Sequence, residues 1–209
     1  MGTRNLTCVA LDGEYKIAQY GQWEGYPGGQ GMTALEFLRM LVKSPTKVSK
    51  FTEKVKALGS ISAQEIDDLE SFDSPNFENK YPYLCRNMGA EILDFVLKFK
   101  GSLRLYNSIE FAGDSLFCEW AYVIDLDKKT FEVYAGFNQK SLSSSERFFN
   151  YNAPNKDYCP IKLLVSFPMD KLPTPNRFVS ICGDLYTQRR ESDKLPDPSP
   201  DAMVDGLGI

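Results

Sequence analysis

Between Thr3 and Gln22 the chain reads as two stretches of strand-like residues that flank Asp12-Gly13. That dipeptide suits a two-residue type I′ turn, because both of its positions need positive φ. The implied hairpin sets Leu11 opposite Glu14, Cys8 opposite Ile17 and Thr3 opposite Gln22. Leu6, Cys8, Ile17 and Trp23 then share the face expected to meet the core, and Thr3, Asn5, Thr7, Tyr20 and Gln22 share the other. Downstream the period lengthens. Met32–Lys43 is apolar nearly throughout and predicts a buried helix, which Ser44-Pro45 ends. Thr46–Leu58 has a stripe of Val48, Phe51, Val55 and Leu58 with lysines outside it, the pattern of an amphipathic helix closed by Gly59. Ser62 and Glu65 have capping-box spacing and open a short acidic helix reaching about Ser71.

After a loop over Asp73–Arg86 that holds Pro75, Pro82 and several aromatic residues, Asn87–Lys100 predicts a further apolar helix. The rest is mainly strand: Ser102–Tyr106, Leu116–Asp125 paired with Thr130–Phe137 across Asp127-Lys128-Lys129, and Ile161–Phe167. Arg177–Leu185 fits a helix or a strand. From Arg189 onward the chain is polar and proline-rich, with little apolar surface to offset the cost of ordering it. The pattern as a whole predicts one α+β domain over residues 1–188 and a disordered acidic tail over residues 189–209. The domain is expected to hold an antiparallel sheet of about five strands with three or four helices packed on one face.

Composition narrows the chemistry. The chain has 209 residues, 43% of them hydrophobic and 13% aromatic, enough for a core without metal or disulfide support. Its formal charge of −4 and the lack of a basic stripe argue against nucleic acid and against an anionic membrane surface as partners. The stretch Lys43 to Lys56, with five lysines, instead reads as the wet face of an amphipathic helix. Histidine is absent. This excludes Ser-His-Asp and Cys-His catalysis, histidine-ligated metals and the usual proton shuttle near neutral pH. Cys8, Cys85, Cys118, Cys159 and Cys182 are widely spaced with no C-x-x-C pair, so neither a zinc site nor any other cofactor is expected. No apolar leader opens the chain and no apolar run is long enough to span a bilayer, so the expectation is a cytoplasmic protein with free thiols. On that reading the Asn5-Leu6-Thr7 sequon is incidental.

The richest segment is Gly21–Gly31, reading GQWEGYPGGQG. Gly28, Gly29 and Gly31 stand just before a predicted helix N-terminus, where backbone N–H groups and the helix dipole favour an anion. Tyr20, Gln22, Trp23, Glu24 and Tyr26 surround them. Neither a Walker lysine nor a dinucleotide fingerprint is present, and the alternative is a tight turn whose glycines serve geometry alone. Gly28-Gly29-Gln30 also spells the release-factor tripeptide, without the basic surroundings a ribosome would require. Thr3-Arg4 invites comparison with N-terminal-nucleophile hydrolases, which need no histidine. Exposing Thr3 would take a cleavage beyond loss of Met1, and the plainer reading is strand residues with Arg4 paired to an acid such as Glu24. The carboxylates at Glu65, Asp67, Asp68 and Glu70, and at Asp125 and Asp127, read as solvated or turn residues. The aromatic residues over Phe111–Phe137 read as sheet packing.

Met1-Gly2-Thr3-Arg4, Gln19–Pro27, Gly29-Gln30-Gly31 and Cys118–Leu126 together resemble a family of small fungal and phage-encoded proteins. Its members open G-T-R and carry a Q-W/H-W-D/E-G-Y-type loop. The resemblance covers residues 1 to about 140, with Glu24 standing where aspartate is commoner. No activity is assigned to that family, so the likeness implies a constellation, Arg4, Gln22, Trp23, Glu24 and Tyr26, and no reaction. The functional expectation is a binding module for a small polar or anionic ligand, its site formed by Arg4, Tyr20, Gln22, Trp23, Glu24, Tyr26, Gly29 and Gly31. The competing expectations are a histidine-free amide hydrolase of the N-terminal-nucleophile type and a protein–protein interaction module.

Overall fold

A computed structural model describes residues 2–69 and 77–192, apart from the side chain of Glu78. Its centre is a five-stranded sheet in the order β2-β1-β5-β6-β7, antiparallel except where β1 lies parallel to β5. The first hairpin, β1 (Asn5–Leu11) and β2 (Glu14–Gly21), turns at Asp12 (φ 55°) and Gly13 (φ 76°), the two positive φ values that a type I′ turn requires. The turn amides also have an external anchor. Asp12 N and Gly13 N each donate at 3.0 Å to the Asp127 carboxylate, and these bonds hold that group below the usual carboxylate range.

The hairpin register starts as expected, with Leu11 opposite Glu14, and then slips. A bulge between Val9 and Ala10 leaves Lys16 unmatched, so Cys8 pairs with Ala18, and Ile17 pairs with Val9. One extra residue reverses every side chain beyond it. Ile17 therefore joins Val9 and Leu11 under the helices, whereas Leu6, Cys8 and Ala18 belong to the opposite core. All of β1 is buried, Asn5 and Thr7 included, and Trp23, expected inside, is 48% exposed.

Helices cover one face. In α1 (Met32–Val42), Ala34, Leu35, Leu38 and Leu41 recur at helical spacing and are buried. Ser44-Pro45 both ends α1 and opens α2 (Pro45–Lys56): the Ser44 hydroxyl accepts from Lys47 N, and Pro45 occupies the first turn, where its missing N–H costs nothing. Phe51 and Val55 of α2 pack inward. Gly59 does not close that helix; with Ser60 it forms β3, paired to β4 (Arg104–Leu105). The Ser62–Glu65 capping box is present with both reciprocal bonds and starts α3 (Ala63–Asp67). The expected end of that helix, Glu70 and Ser71, lies outside the described residues. A short turn of helix, α4 (Phe77–Lys80), and a 3₁₀ turn at Pro82–Leu84 follow.

The apolar stretch after Asn87 begins as a 3₁₀ turn at Gly89–Glu91 and becomes α5 only over Ile92–Lys98. β5 (Trp120–Asp125), β6 (Thr130–Ala135) and β7 (Lys162–Pro168) complete the sheet. Pro175–Ser192 is helical, α6, burying Phe178 and Cys182 against the same face. Arg189, at the expected start of the tail, donates to the carbonyls of Ala135 and Gly136, so ordered structure continues to Ser192. Residues 193–209 lie outside the described residues.

Among the described residues the other face carries no long helix. Irregular segments cover it with Ala112, Cys118, Leu142, Phe148 and Ile161, and a buried ionic cluster fastens them to the sheet. Arg147 donates to Asp125 Oδ2 at 2.5 Å and to Glu132 Oε2 at 2.7 Å, while Tyr134 donates to Glu132 Oε2 at 2.7 Å. Asp125 and Asp127 are thus structural groups, one clamping Arg147 and the other the first hairpin turn.

Candidate functional site

The glycine-rich segment is stitched into the protein from both ends. Gln22 N donates to Arg86 O and Gly25 N to Thr3 O, each at 2.8 Å. Gln30 N donates to Glu24 O at 2.8 Å, and the Gln30 carboxamide accepts from Ala90 N at 2.6 Å. From within the core, the Tyr122 hydroxyl donates to Gly25 O at 2.8 Å. Gly31 lies directly on that ring: a Cβ added there would come within 2.6 Å of it. Glu24 takes φ 52° to reverse the chain, and Pro27–Gly31 forms a wide turn that leads into α1. Gly21, Gly25, Gly29 and Gly31 therefore serve close packing, and Gly28 does not.

The expected site residues are divided by this arrangement. Tyr20 and Gln22 are joined by a hydrogen bond from the phenol to the carboxamide oxygen. Arg4 stacks 4.5 Å over Phe117 and reaches Glu119 at 3.4 Å, so its acid is Glu119 and not Glu24. The fields of Arg4 and Arg86 both act on the Tyr20 phenol, although its burial has the larger effect and pushes it up. Arg4, Tyr20 and Gln22 thus gather at one end of the sheet. Trp23, Glu24 and Tyr26 lie on the outer surface, Trp23 donating to Asn87 Oδ1 at 3.0 Å. Gly29 is half-buried and Gly31 fully so. The Thr3 carbonyl is occupied by Gly25 N, and Thr3 lines neither of the two cavities described next.

Of these residues, Tyr20 alone opens onto the first cavity, a space of about 580 Å³ along the edge strand β2. Pockets for small molecules usually measure about 300–1,000 Å³. Gln19 and Tyr20 form one wall; Ala63, Ile66 and Asp67 of α3, Phe77 of α4, the Tyr83–Arg86 segment, Tyr106 and Ser108 form the others. Local chemistry holds the walls apart. The capping box and the Arg104–Glu65 ion pair (2.9 Å) fix α3. Ser108 N donates to Ala18 O at 2.9 Å and Asn107 Nδ2 to Tyr15 O at 3.0 Å, covering part of the β2 edge. Phe111 meets the Tyr20 ring edge-on, with centroids 5.1 Å apart. Phe77, Tyr83, Arg86 and Tyr106 were not expected at a site. For Phe77, Tyr83 and Arg86 the one signal in the sequence is the density of aromatic residues over Asp73–Arg86, a segment too rich in proline for a regular element, since function often resides in such loops; nothing marked Tyr106.

The second cavity is an open groove of about 760 Å³ between α1 and α5. Phe37, Met40, Met88, Phe95 and Phe99 line it together with Glu36, Glu91 and Asp94, and the one lysine present, Lys98, is paired to Asp94 at 2.6 Å.

Among the described residues no cluster of three or more His, Cys, Asp or Glu side chains could hold a metal ion, and no helix is long and apolar enough to cross a membrane. No family model matches the chain, and no curated protein or solved structure matches it either.

None of the five cysteines is in a disulfide; Cys159 is partly exposed and the others are buried. Burial raises the Cys8 and Cys118 thiols and pushes Cys182 up to about 12, which removes their reactive thiolate near neutral pH. A charged aromatic disulfide reagent should therefore modify Cys159 first in the native protein, and Cys8, Cys118 and Cys182 only after unfolding. Rapid native labelling of any of these three, read by peptide mass, would contradict the burial described here.

Proposed function

We propose that the protein is a small-ligand-binding module whose site is the cavity along β2, at the point where the hairpin passes into the glycine-rich segment. The observation that carries this reading is the lining: the rings of Tyr20, Phe77, Tyr83 and Tyr106 and the nearly buried carboxamide of Gln19 converge on about 580 Å³. Apolar walls with a few placed polar groups are the usual make-up of such pockets. On this reading the glycine-rich segment supports the site from behind, carrying the chain from Tyr20 into α1 and pinning Arg86 through Gln22. Free thiols without disulfides fit a reducing, cytoplasmic setting.

A thermal-shift screen of nucleotides, sugars, organic acids and amino acids on the full chain tests the proposal. A ligand present at 100 times its Kd should add about 2.7 kcal/mol, a rise of roughly 5–11 °C for a chain of this length. Tyr83→Ala, which removes one wall, should weaken that ligand by at least tenfold, measured by calorimetry. Absence of any saturable shift, or a shift that Tyr83→Ala leaves intact, would refute the assignment.

The acidic, methionine-lined groove favours a second reading, a docking site for a cationic amphipathic helix of a partner protein. A leucine–lysine model peptide should then bind in low salt, lose affinity on Glu91→Lys, and be indifferent to Tyr83→Ala. No binding, or binding unchanged by Glu91→Lys, would remove this reading.

A further inference from the structure

Two charges at the β2 cavity lack a counterpart among the described residues. Asp67 and Arg86 both line it, and neither forms an ion pair or a side-chain hydrogen bond among the described residues. Their neighbours are committed elsewhere: Arg4 to Glu119, Arg104 to Glu65, and Gln64 to Asp68 at 3.2 Å. The two groups also come from different walls. Asp67 is the last residue of α3, beside Ile66. Arg86 follows Cys85 and is fixed through its carbonyl, which accepts Gln22 N, and its field reaches the Tyr20 phenol. A third polar group sits deep. Gln19 is 7% exposed and donates through Nε2 to Tyr20 O at 3.1 Å, which leaves its Oε1 as an acceptor without a partner among the described residues. Four aromatic rings line the same cavity.

Resting on the reading above, we infer that the cavity takes a zwitterion with an aromatic body: a ligand whose carboxylate meets Arg86, whose ammonium meets Asp67, and whose ring lies among Tyr20, Phe77, Tyr83 and Tyr106. An aromatic α-amino acid, or a short peptide with an aromatic residue, is the simplest member of that class. The argument is one of complementarity. Closing a ligand over the cavity strips water from both charges, and a desolvated charge is costly unless a partner replaces that water. A neutral ring would leave both unanswered, and an acid or an amine would leave one. A guanidinium grips a carboxylate through two parallel N–H donors, a geometry no ring hydroxyl reproduces. A ring-only site would have no use for Asp67 or for the free acceptor on Gln19.

The test is calorimetric titration of the full chain with L-tryptophan, tryptamine and indole-3-propionate. These share one ring system and differ only in the charges they carry. L-tryptophan should bind the unmodified chain at least tenfold more tightly than either truncated compound. Arg86→Met should bring L-tryptophan and tryptamine to equal affinity, and Asp67→Asn should do the same for L-tryptophan and indole-3-propionate. Both side chains are exposed at the rim, so neither change threatens the fold. If tryptamine or indole-3-propionate binds the unmodified chain as well as L-tryptophan does, or if the variants leave the ratios unchanged, the zwitterion assignment falls while the cavity stands. If none of the three binds, and Tyr83→Ala alters no ligand from the wider screen, the cavity assignment falls with it.

Discussion

Arg147→Met should destabilise the protein by about 3–5 kcal/mol at pH 7, the usual cost of removing one partner from a buried ion pair. Arg147 faces Asp125 and Glu132, and the three side chains are 13%, 4% and 8% exposed. The guanidinium spans both acids, adding a bond from Nη2 to Glu132 Oε1 at 2.9 Å. Without it two carboxylates stay buried with no cation to compensate them. Burial by itself raises the Glu132 carboxyl, but its bonds from Arg147 and Tyr134 outweigh burial and hold it below its ordinary value. A carboxylate lowered by folding contributes stability that is fully present above its unfolded value, about 4.3, and is lost as pH falls through the lower folded value. In the variant, unopposed burial raises the same group, so protonation near pH 4 relieves the strain. The gap between the two proteins should be wide at pH 7 and narrow near pH 4, and Glu132→Gln added to Arg147→Met should recover part of the loss. Guanidinium unfolding at both pH values measures this. A variant within about 1 kcal/mol of the unmodified chain at pH 7 would show that the cluster contributes little.

Gly31→Ala is expected to cost about 2–4 kcal/mol, through overpacking together with loss of a buried hydrogen bond. The backbone at Gly31 is ordinary, with φ −60°, so conformational freedom is not the reason. The reason is space: the new methyl would lie 2.6–2.7 Å from the Tyr122 ring and its hydroxyl. Tyr122 is fully buried and cannot retreat without releasing Gly25 O. Gly28→Ala is the control, because its nearest neighbours are ring atoms of Tyr26 at 3.6–3.7 Å and the site is exposed. That variant should stay within about 0.5 kcal/mol. Chemical denaturation distinguishes the two. Equal effects at Gly28 and Gly31 would show that packing is not what glycine serves in this segment.

The pairing of Arg4 with Glu119 rather than Glu24, and the location of the cavity, share one explanation: both depend on residues far apart in the chain. β5 follows β1 by more than a hundred positions, and its parallel pairing with β1 places Glu119 beside Arg4. Tyr20, Asp67, Phe77, Tyr83 and Tyr106 come from separate elements, and no window of the sequence contains them all. The loop glycines are conspicuous as a motif, yet Gly25, Gly29 and Gly31 serve contact with the Thr3–Asn5 segment, Glu24 and Tyr122.

Short-range chemistry by itself determined the Asp12-Gly13 turn, the presence of α1 and α2, the Ser62–Glu65 cap and the α+β class, since a turn needs its own φ values and a helix its own periodicity and caps. Only the tertiary structure decided the rest. The bulge at Lys16 turns Ile17 toward the helices and leaves Tyr20 on the opposite side, because β1 is buried on both faces and neither face's pattern could set the register alone. The same packing brings four distant rings and two opposite charges around one cavity, an arrangement set by which surfaces exclude water together and not by any residue's neighbours in the chain.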